Sequence, residues 1–358
     1  MGNRQNTTVI MIKKELSNIA LQITESEYRA MPELSYSTLS TYDKVGYDGL
    51  EHLFDKKESP SLTFGSMVDS LLTGGKEEFD DRFIVMDISI TDGGKDVCNK
   101  LASMNLPYDT FEEIPEATVS QAAKDAEFWK ADKWDKKRYS EVLKTGDVAK
   151  YYYVLTHSDR TLVDSATYQE ALACVQSLKE SASTCRYFAD DDPLSPIRRY
   201  YQLKFKAVMK NVGYRCMCDL LVVDYEDKVI YPIDLKTSSK PEWHFEDSFT
   251  QWNYMIQARL YWLIIKYNLV HDDYFKDFEL KDYRFIVVNR KTLTPLVWEF
   301  PLTRSKGTLV DSNGNEYRDP LEIGAELQAY LDMKPEVPKG IDKDGVNTIG
   351  CLKVKPTE

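Results

Sequence analysis

The stretch CMCDLLVVDYEDKVIYPIDLK, residues 216–236, is two apolar runs rich in β-branched and aromatic residues on either side of the polar YEDK. That pattern is the signature of a β-hairpin, and it restricts the chain to folds with at least one antiparallel strand pair. With Glu226 and Asp227 as the two loop residues, Tyr225 faces Lys228, and counting outward sets Asp219 directly opposite Asp234. A bulge would shift this register by one residue. Residues two apart on a strand share a face, so Lys236 stands beside Asp234. Like charges facing each other across a hairpin destabilise it, and half-buried carboxylates are costly unless a proton or a cation joins them. A divalent cation resolves the conflict, because Mg²⁺ and Mn²⁺ take carboxylate oxygens. Lys236 is then placed to orient a metal-polarised water or to stabilise charge on a phosphate. Taken by itself, Asp-x-Lys is better explained as a strand end running out into solvent, and only its surroundings favour a site.

The flanking pattern enlarges the hairpin into a sheet. Strand-like runs lie at about 200–208, 214–225 and 229–237, and two more lie within YRFIVVNRKTLTPLVWEF, 283–300. Between them, 249–268 reads as one helix with Trp252, Ile256, Leu260, Leu263 and Ile264 on its apolar face. A meander, a crossover helix and a further strand give an α/β architecture with a central mixed sheet flanked by helices. Upstream, 7–31 is expected to be helical in two pieces ending at Pro32, with Ser35 and Ser37 as N-caps of the next helix. A further helix is expected at 62–73, stopped by Gly74-Gly75, and on it Gly65 and Asp69 share a face. Residues 165–188 are expected to form an amphipathic helix capped by Ser165, and 320–332 a short one within an otherwise loose C-terminal region. The organisation expected is a helical arm at 1–33, a core from 34–86 and 166–305, a mainly helical insertion at 87–165 and an extension at 306–358.

Composition narrows the function classes. No apolar run of this 358-residue chain approaches the roughly 20 residues of a membrane span, and the brief VIMI near the start is no secretory signal. A cytoplasmic location without membrane association is the expectation. The six cysteines form no CxxC pair and the four histidines no HExxH, which argues against zinc and iron–sulfur sites and for reduced thiols. A net charge of −12 excludes a generally basic surface. Yet residues 198–215 carry Arg198, Arg199, Lys204, Lys206, Lys210 and Arg215 and no acid. This run suits an anion-facing groove, or an edge strand that uses lysines against edge pairing.

Asp219, then Asp234-x-Lys236 on the neighbouring strand, resembles the PD-(D/E)XK nuclease superfamily. Other segments are similar to a narrower group, the RecE-like (exodeoxyribonuclease VIII-type) phage exonucleases and their RecB-like relatives. ITESEYRAMPELSYSTLSTY resembles that group's opening segment, and LTFGSMVDSLLTGGKEEFDDRFIV its FGxxxH helix. QARLY, Gln257 to Tyr261, is similar to its QxxxY motif, and YRFIVVNRKTLTPLVWEF to the strand pair that follows. The resemblance covers roughly 22–86 and 166–300, with four motifs in order. It implies a restriction-endonuclease-like core and Mg²⁺, with Mn²⁺ able to substitute, held by Asp69, Asp219, Asp234 and the Leu235 carbonyl. It further implies substrate contacts from Gln257, Tyr261, Gln202, Lys204 and Lys206, and a ring-shaped homo-oligomer acting on double-stranded DNA ends in phage-type recombination with a single-strand annealing protein. Two positions depart from the pattern: Asp69 stands where the group has His, and Gln202 where many relatives have Glu. The departures favour, as a rival, a catalytically impaired DNA-binding or assembly protein of the same fold. An endonuclease or single-strand repair nuclease of that fold is a third reading.

Overall fold

The structure is a computed structural model that describes residues 14–46, 53 and 59–332. The expected helical start at 7–13, the tail beyond 332 and Cys351 lie outside the described residues. Two compact units divide the chain, one formed by residues 1–65 and 176–358 and the other by 66–175.

The first unit is built on a mixed sheet. Its strands are β1 (Ile197–Met209), β2 (Val212–Asp224), β3 (Val229–Ser238), β4 (Tyr283–Asn289) and β5 (Leu296–Phe300), side by side in that order. Only β3 and β4 run parallel within this order, and the short Glu279–Leu280 strand adds a second parallel partner to β3. Helices α1 (Tyr36–Val45), α2 (Pro60–Thr73), α3 (Phe245–Gln251), α4 (Tyr254–Val270) and α5 (Pro320–Asp332) accompany it. Residues of α2 from Ser66 onward belong to the second unit. The α/β class with a central mixed sheet expected from the sequence is what the chain forms.

The hairpin register is the expected one, with Leu220 paired to Ile233 and Val223 to Ile230. The turn is longer. The ladder closes at Asp224–Val229, so Tyr225 and Lys228 belong to the loop. There Asp224 Oδ1 accepts from the Glu226 and Asp227 amides at 3.0 and 3.1 Å, and Lys228 takes a φ of +52°. An aspartate that accepts from the backbone two and three residues on supplies the turn's hydrogen bonds from its own side chain.

The segment before α1 contains less helix than its sequence suggests: one 3₁₀ turn, Leu16–Ile19, and six residues of α-helix, Glu25–Ala30. The strands next to it explain this. The Leu21 amide donates to the Lys204 carbonyl at 2.8 Å, on the outer edge of β1. Leu34 exchanges backbone bonds of 2.9 and 3.0 Å with Gly213 and Arg215, where β2 runs beyond its ladder with β3. Covering open sheet edges outweighs local helix propensity here.

The helix expected at 249–268 is broken into α3 and α4 at Trp252 and Asn253. Asn253 sits at φ +54°, a left-handed conformation that asparagine tolerates. Side chains of α1 take up the carbonyls released by the break. Tyr36 Oη donates to Trp252 O at 2.6 Å, and Lys44 Nζ to Gln251 O at 3.0 Å. Trp252, placed by periodicity on the apolar face, is 49% exposed as a result. Farther along α4, the buried Arg259 guanidinium donates to Asp319 Oδ2 at 2.8 Å and to Gly307 O at 2.7 Å, which ties α5 to the helix.

The second unit is mainly helical, with helices at Asp92–Ser103, Glu116–Asp125, Arg138–Leu143 and Val148–His157 around a core that includes Val97, Leu101, Phe111, Val119 and Tyr152. A two-stranded parallel sheet joins Phe83–Val85 to Thr161–Val163. The helix Ser165–Glu180 is capped by Asp164, whose carboxylate accepts from the Thr167 amide, so Ser165 is its first residue and not its cap. No helix among the described residues is long and apolar enough to cross a membrane.

Candidate active site

Asp234 points inward from β3 and is only 2% exposed. Two groups face it. Lys236 Nζ lies 2.6 Å from its Oδ2, and Gln257 Nε2 donates to its Oδ1 at 2.5 Å. Gln257 lies one turn into α4, which begins at Tyr254 just after the break at Asn253. The Lys236 ammonium also rests on the face of Tyr254, 4.6 Å from the ring centre. That ring is nearly parallel to its neighbours Phe245 and Phe285, at 5.9 and 5.7 Å, and Tyr36 stands 6.3 Å away. Burial opposes the charge on Lys236, but Asp234, then Tyr254 and Asp219, outweigh it and raise the pKa above the ordinary lysine value. The side chain is therefore a fixed cation, suited to hold an anion or orient a water and unsuited to accept a proton.

Asp219 occupies the register position opposite Asp234, one residue past the last ladder pair. Its Oδ2 accepts from the Leu235 amide at 2.9 Å, so the carboxylate caps β3 on the β2 side. The cause lies in a slip shared by two strands. Gln202 of β1 has φ +52° and falls opposite Asp219, between the pairs Tyr201–Leu220 and Leu203–Cys218. On one side of this point Leu203, Phe205, Cys216 and Cys218 join the core; on the other, Tyr200, Leu221 and Val223 do. The in-out alternation thus shifts by one residue on both strands while the register holds. A non-glycine residue held in this conformation costs of order 1–3 kcal/mol and needs support from its surroundings.

Asp234 Oδ2 and Gln257 Oε1 are both buried; Asp234 Oδ2 meets the Lys236 ammonium at 2.6 Å, whereas Gln257 Oε1 has no hydrogen-bond partner among the described residues. The buried Tyr283 hydroxyl, next to the same carboxylate, is also without one. Buried oxygens in this condition are costly unless something else binds them. Hard carboxylate oxygens suit Mg²⁺ or Mn²⁺, and Mg²⁺ often binds through one or two carboxylates with waters and substrate phosphates completing its shell. Among the described residues, no group of three or more His, Cys, Asp or Glu side chains is gathered to hold a metal ion.

The other residues singled out in the sequence are distributed as follows. Asp69 is half-buried on α2 in the second unit, four residues beyond Gly65; a Cβ on Gly65 would stand 3.4 Å from Thr237 Oγ1 of β3. Tyr261 is 8% exposed and packs edge-on against Tyr283. Lys204 is half-buried, and the exposed Lys206 lies 3.7 Å from Glu33. The arginines of the basic run serve the fold. Arg215 donates to the carbonyls of Tyr28, Arg29 and Met31, Arg198 to those around Ser195, and Arg199 pairs with Asp191. Cys216 and Cys218 sit with sulfurs 3.8 Å apart, buried and unbridged.

Sequence reasoning did not single out Tyr254, which lies three residues before Gln257 and so on the same helical face. An aromatic residue one turn ahead of a polar motif was the available signal.

No model of a known protein family matches the chain, and no curated protein does. Among solved structures, the crystal structure of a putative exonuclease from Eubacterium rectale aligns over 88% of this chain and 85% of that one, at 14% identity and a TM-score of 0.37.

Proposed function

We propose that the chain is a metal-dependent deoxyribonuclease that hydrolyses phosphodiester bonds from the ends of linear double-stranded DNA. The observation that carries this reading is Asp234, a buried carboxylate with one oxygen on Lys236 and the other on Gln257, next to Asp219 on the adjoining strand. Asp219, Asp234 and the Leu235 carbonyl would hold Mg²⁺ or Mn²⁺. Bound there, the metal supplies Lewis-acid polarisation of the scissile phosphate and of a water. Lys236, fixed by Asp234 and the Tyr254 ring, orients the attacking water and balances charge growing on the phosphate. Gln257 holds the Asp234 carboxylate in place. Preference for linear ends, a ring assembly and a single-strand annealing partner rest on the ordered sequence motifs that resemble the RecE-like group.

Gln202 favours a second reading, a DNA-binding protein that has lost catalysis. It puts an amide, a poor ligand for a hard cation, opposite Asp219. Thermal unfolding with Mg²⁺ or Mn²⁺ separates the two. The catalytic reading predicts that metal raises the unfolding midpoint of the wild type and that Asp234→Asn largely abolishes the rise. Equal midpoints with and without metal, or an undiminished rise in the variant, would count against it.

A further inference from the structure

The chain beyond β3 is held more firmly than an ordinary loop. Glu242 is fully buried, and its carboxylate receives four hydrogen bonds from the connection between β4 and β5. Oε1 accepts from the Asn289 and Thr294 amides, each at 3.0 Å, and Oε2 from the Thr292 and Thr294 hydroxyls at 2.6 and 3.3 Å. The Glu242 carbonyl accepts from Trp298 Nε1 at 3.2 Å, and Asn289 Nδ2 donates to Lys240 O at 3.0 Å. Ser238 and Asn289 are the last pair of the parallel β3–β4 ladder, so the two loops leave the sheet together and Glu242 joins them into one rigid element. A buried carboxylate without a cationic partner is an expensive way to hold a turn, and it keeps whatever the turn displays from moving.

What the element displays is Trp243, 55% exposed, with the exposed Lys240, Arg290 and Lys291 on the same pair of loops. The acids nearby are Glu246 and Asp247 in the first turn of α3, the second of them 3.8 Å from His244. Trp243 is also tied to the candidate catalytic lysine. Two residues on, Phe245 stacks on Tyr254 at 5.9 Å, and Tyr254 carries Lys236 on its ring. An exposed indole beside an anchored residue, on a pair of loops that also carries exposed lysines, matches the way single-stranded ends are bound, bases on aromatic faces and phosphates on cations.

We propose that Trp243 is a stacking platform for a nucleobase at the end of a DNA strand, with Lys240 and Lys291 receiving the adjacent phosphates. The inference rests on the nuclease reading and adds to it how the end of the substrate is recognised. The test uses the full chain in EDTA, so that no cleavage is needed. The probe is a linear duplex carrying 2-aminopurine either at its terminal position or internally, with a distant dye to report binding by anisotropy. Wild-type protein is expected to change the terminal 2-aminopurine emission and leave the internal one unaltered. Trp243→Ala should lose that change and bind the duplex roughly tenfold more weakly, the scale of one base–aromatic stack, with Trp243→Phe in between.

Duplex binding by Trp243→Ala with wild-type affinity and wild-type terminal emission would overturn the platform and leave the nuclease reading standing. A Trp243→Ala change in oligomeric mass with an unaltered 2-aminopurine response would assign the indole to a protein contact and overturn it equally. Failure of the wild type to bind any duplex in EDTA would overturn the platform, and failure to bind with Ca²⁺ or Mn²⁺ as well would overturn the nuclease reading with it.

Discussion

Replacing Lys236 by alanine is expected to reduce metal-dependent hydrolysis of linear duplex DNA by about 10²–10³-fold, the usual effect of removing one preorganised charge-stabilising group. The substitution removes the cation 2.6 Å from Asp234 and leaves that carboxylate, only 2% exposed, with Gln257 as its remaining partner. Breaking a buried pair also destabilises the fold, so Lys236→Ala alone mixes chemistry with folding. Lys236→Met keeps most of the side-chain volume and removes the charge, so comparing it with alanine isolates the packing loss. The denaturant midpoint of each variant reports the cost of the broken pair apart from the rate. Single-turnover rates at saturating protein should fall equally in both variants. A Lys236→Met rate within a few-fold of wild type would show that the ammonium stabilises the fold and does no chemistry.

The largest effect on stability is expected at Glu242. Alanine there leaves the buried Asn289 amide without an acceptor, frees the part-buried Thr294 amide and opens a cavity, at a cost of about 3–5 kcal/mol. Glu242→Gln keeps an acceptor oxygen for the two amides and lets its NH₂ donate to the threonine hydroxyls, so it should cost about 1–2 kcal/mol. Denaturant midpoints of the three proteins, at constant m, measure both values. A Glu242→Ala midpoint equal to wild type would mean that the two loops hold together without the carboxylate. The same variant also loosens Trp243, one residue away, without removing it.

The mixed sheet and the hairpin register were legible because they follow from alternation and turn chemistry within short windows. Leu220–Ile233 pairs as counted even though the loop has four residues, since Asp224 caps the turn without altering the count. What escaped the sequence depends on contacts between distant segments. The left-handed turn at Asn253, which starts α4 at Tyr254, is supported by Tyr36 and Lys44 more than 200 residues earlier in the chain. Helical periodicity alone runs through that point without a sign of it.

The candidate site shows the same division. Asp219, Asp234, Lys236 and Gln257 were legible as motif letters, and Asp234, Lys236 and Gln257 do meet. The turning of Asp219 onto the Leu235 amide was not, because the slip of alternation at Gln202 and Leu220 involves two strands at once and leaves no local signature. Nor could the basic run be sorted in advance. Its arginines found backbone carbonyls and Asp191, and only the fold decides which positive charges remain at the surface.

The most direct test of the proposed activity is digestion of an end-labelled linear duplex beside a closed circular plasmid, with Mg²⁺, with Mn²⁺ and with EDTA. The expected result is metal-dependent loss of the linear DNA alone, absent in EDTA and in Lys236→Met, with the surviving label reporting the polarity. Integrity of both DNAs under every metal would contradict a catalytic site at Asp219, Asp234 and Lys236.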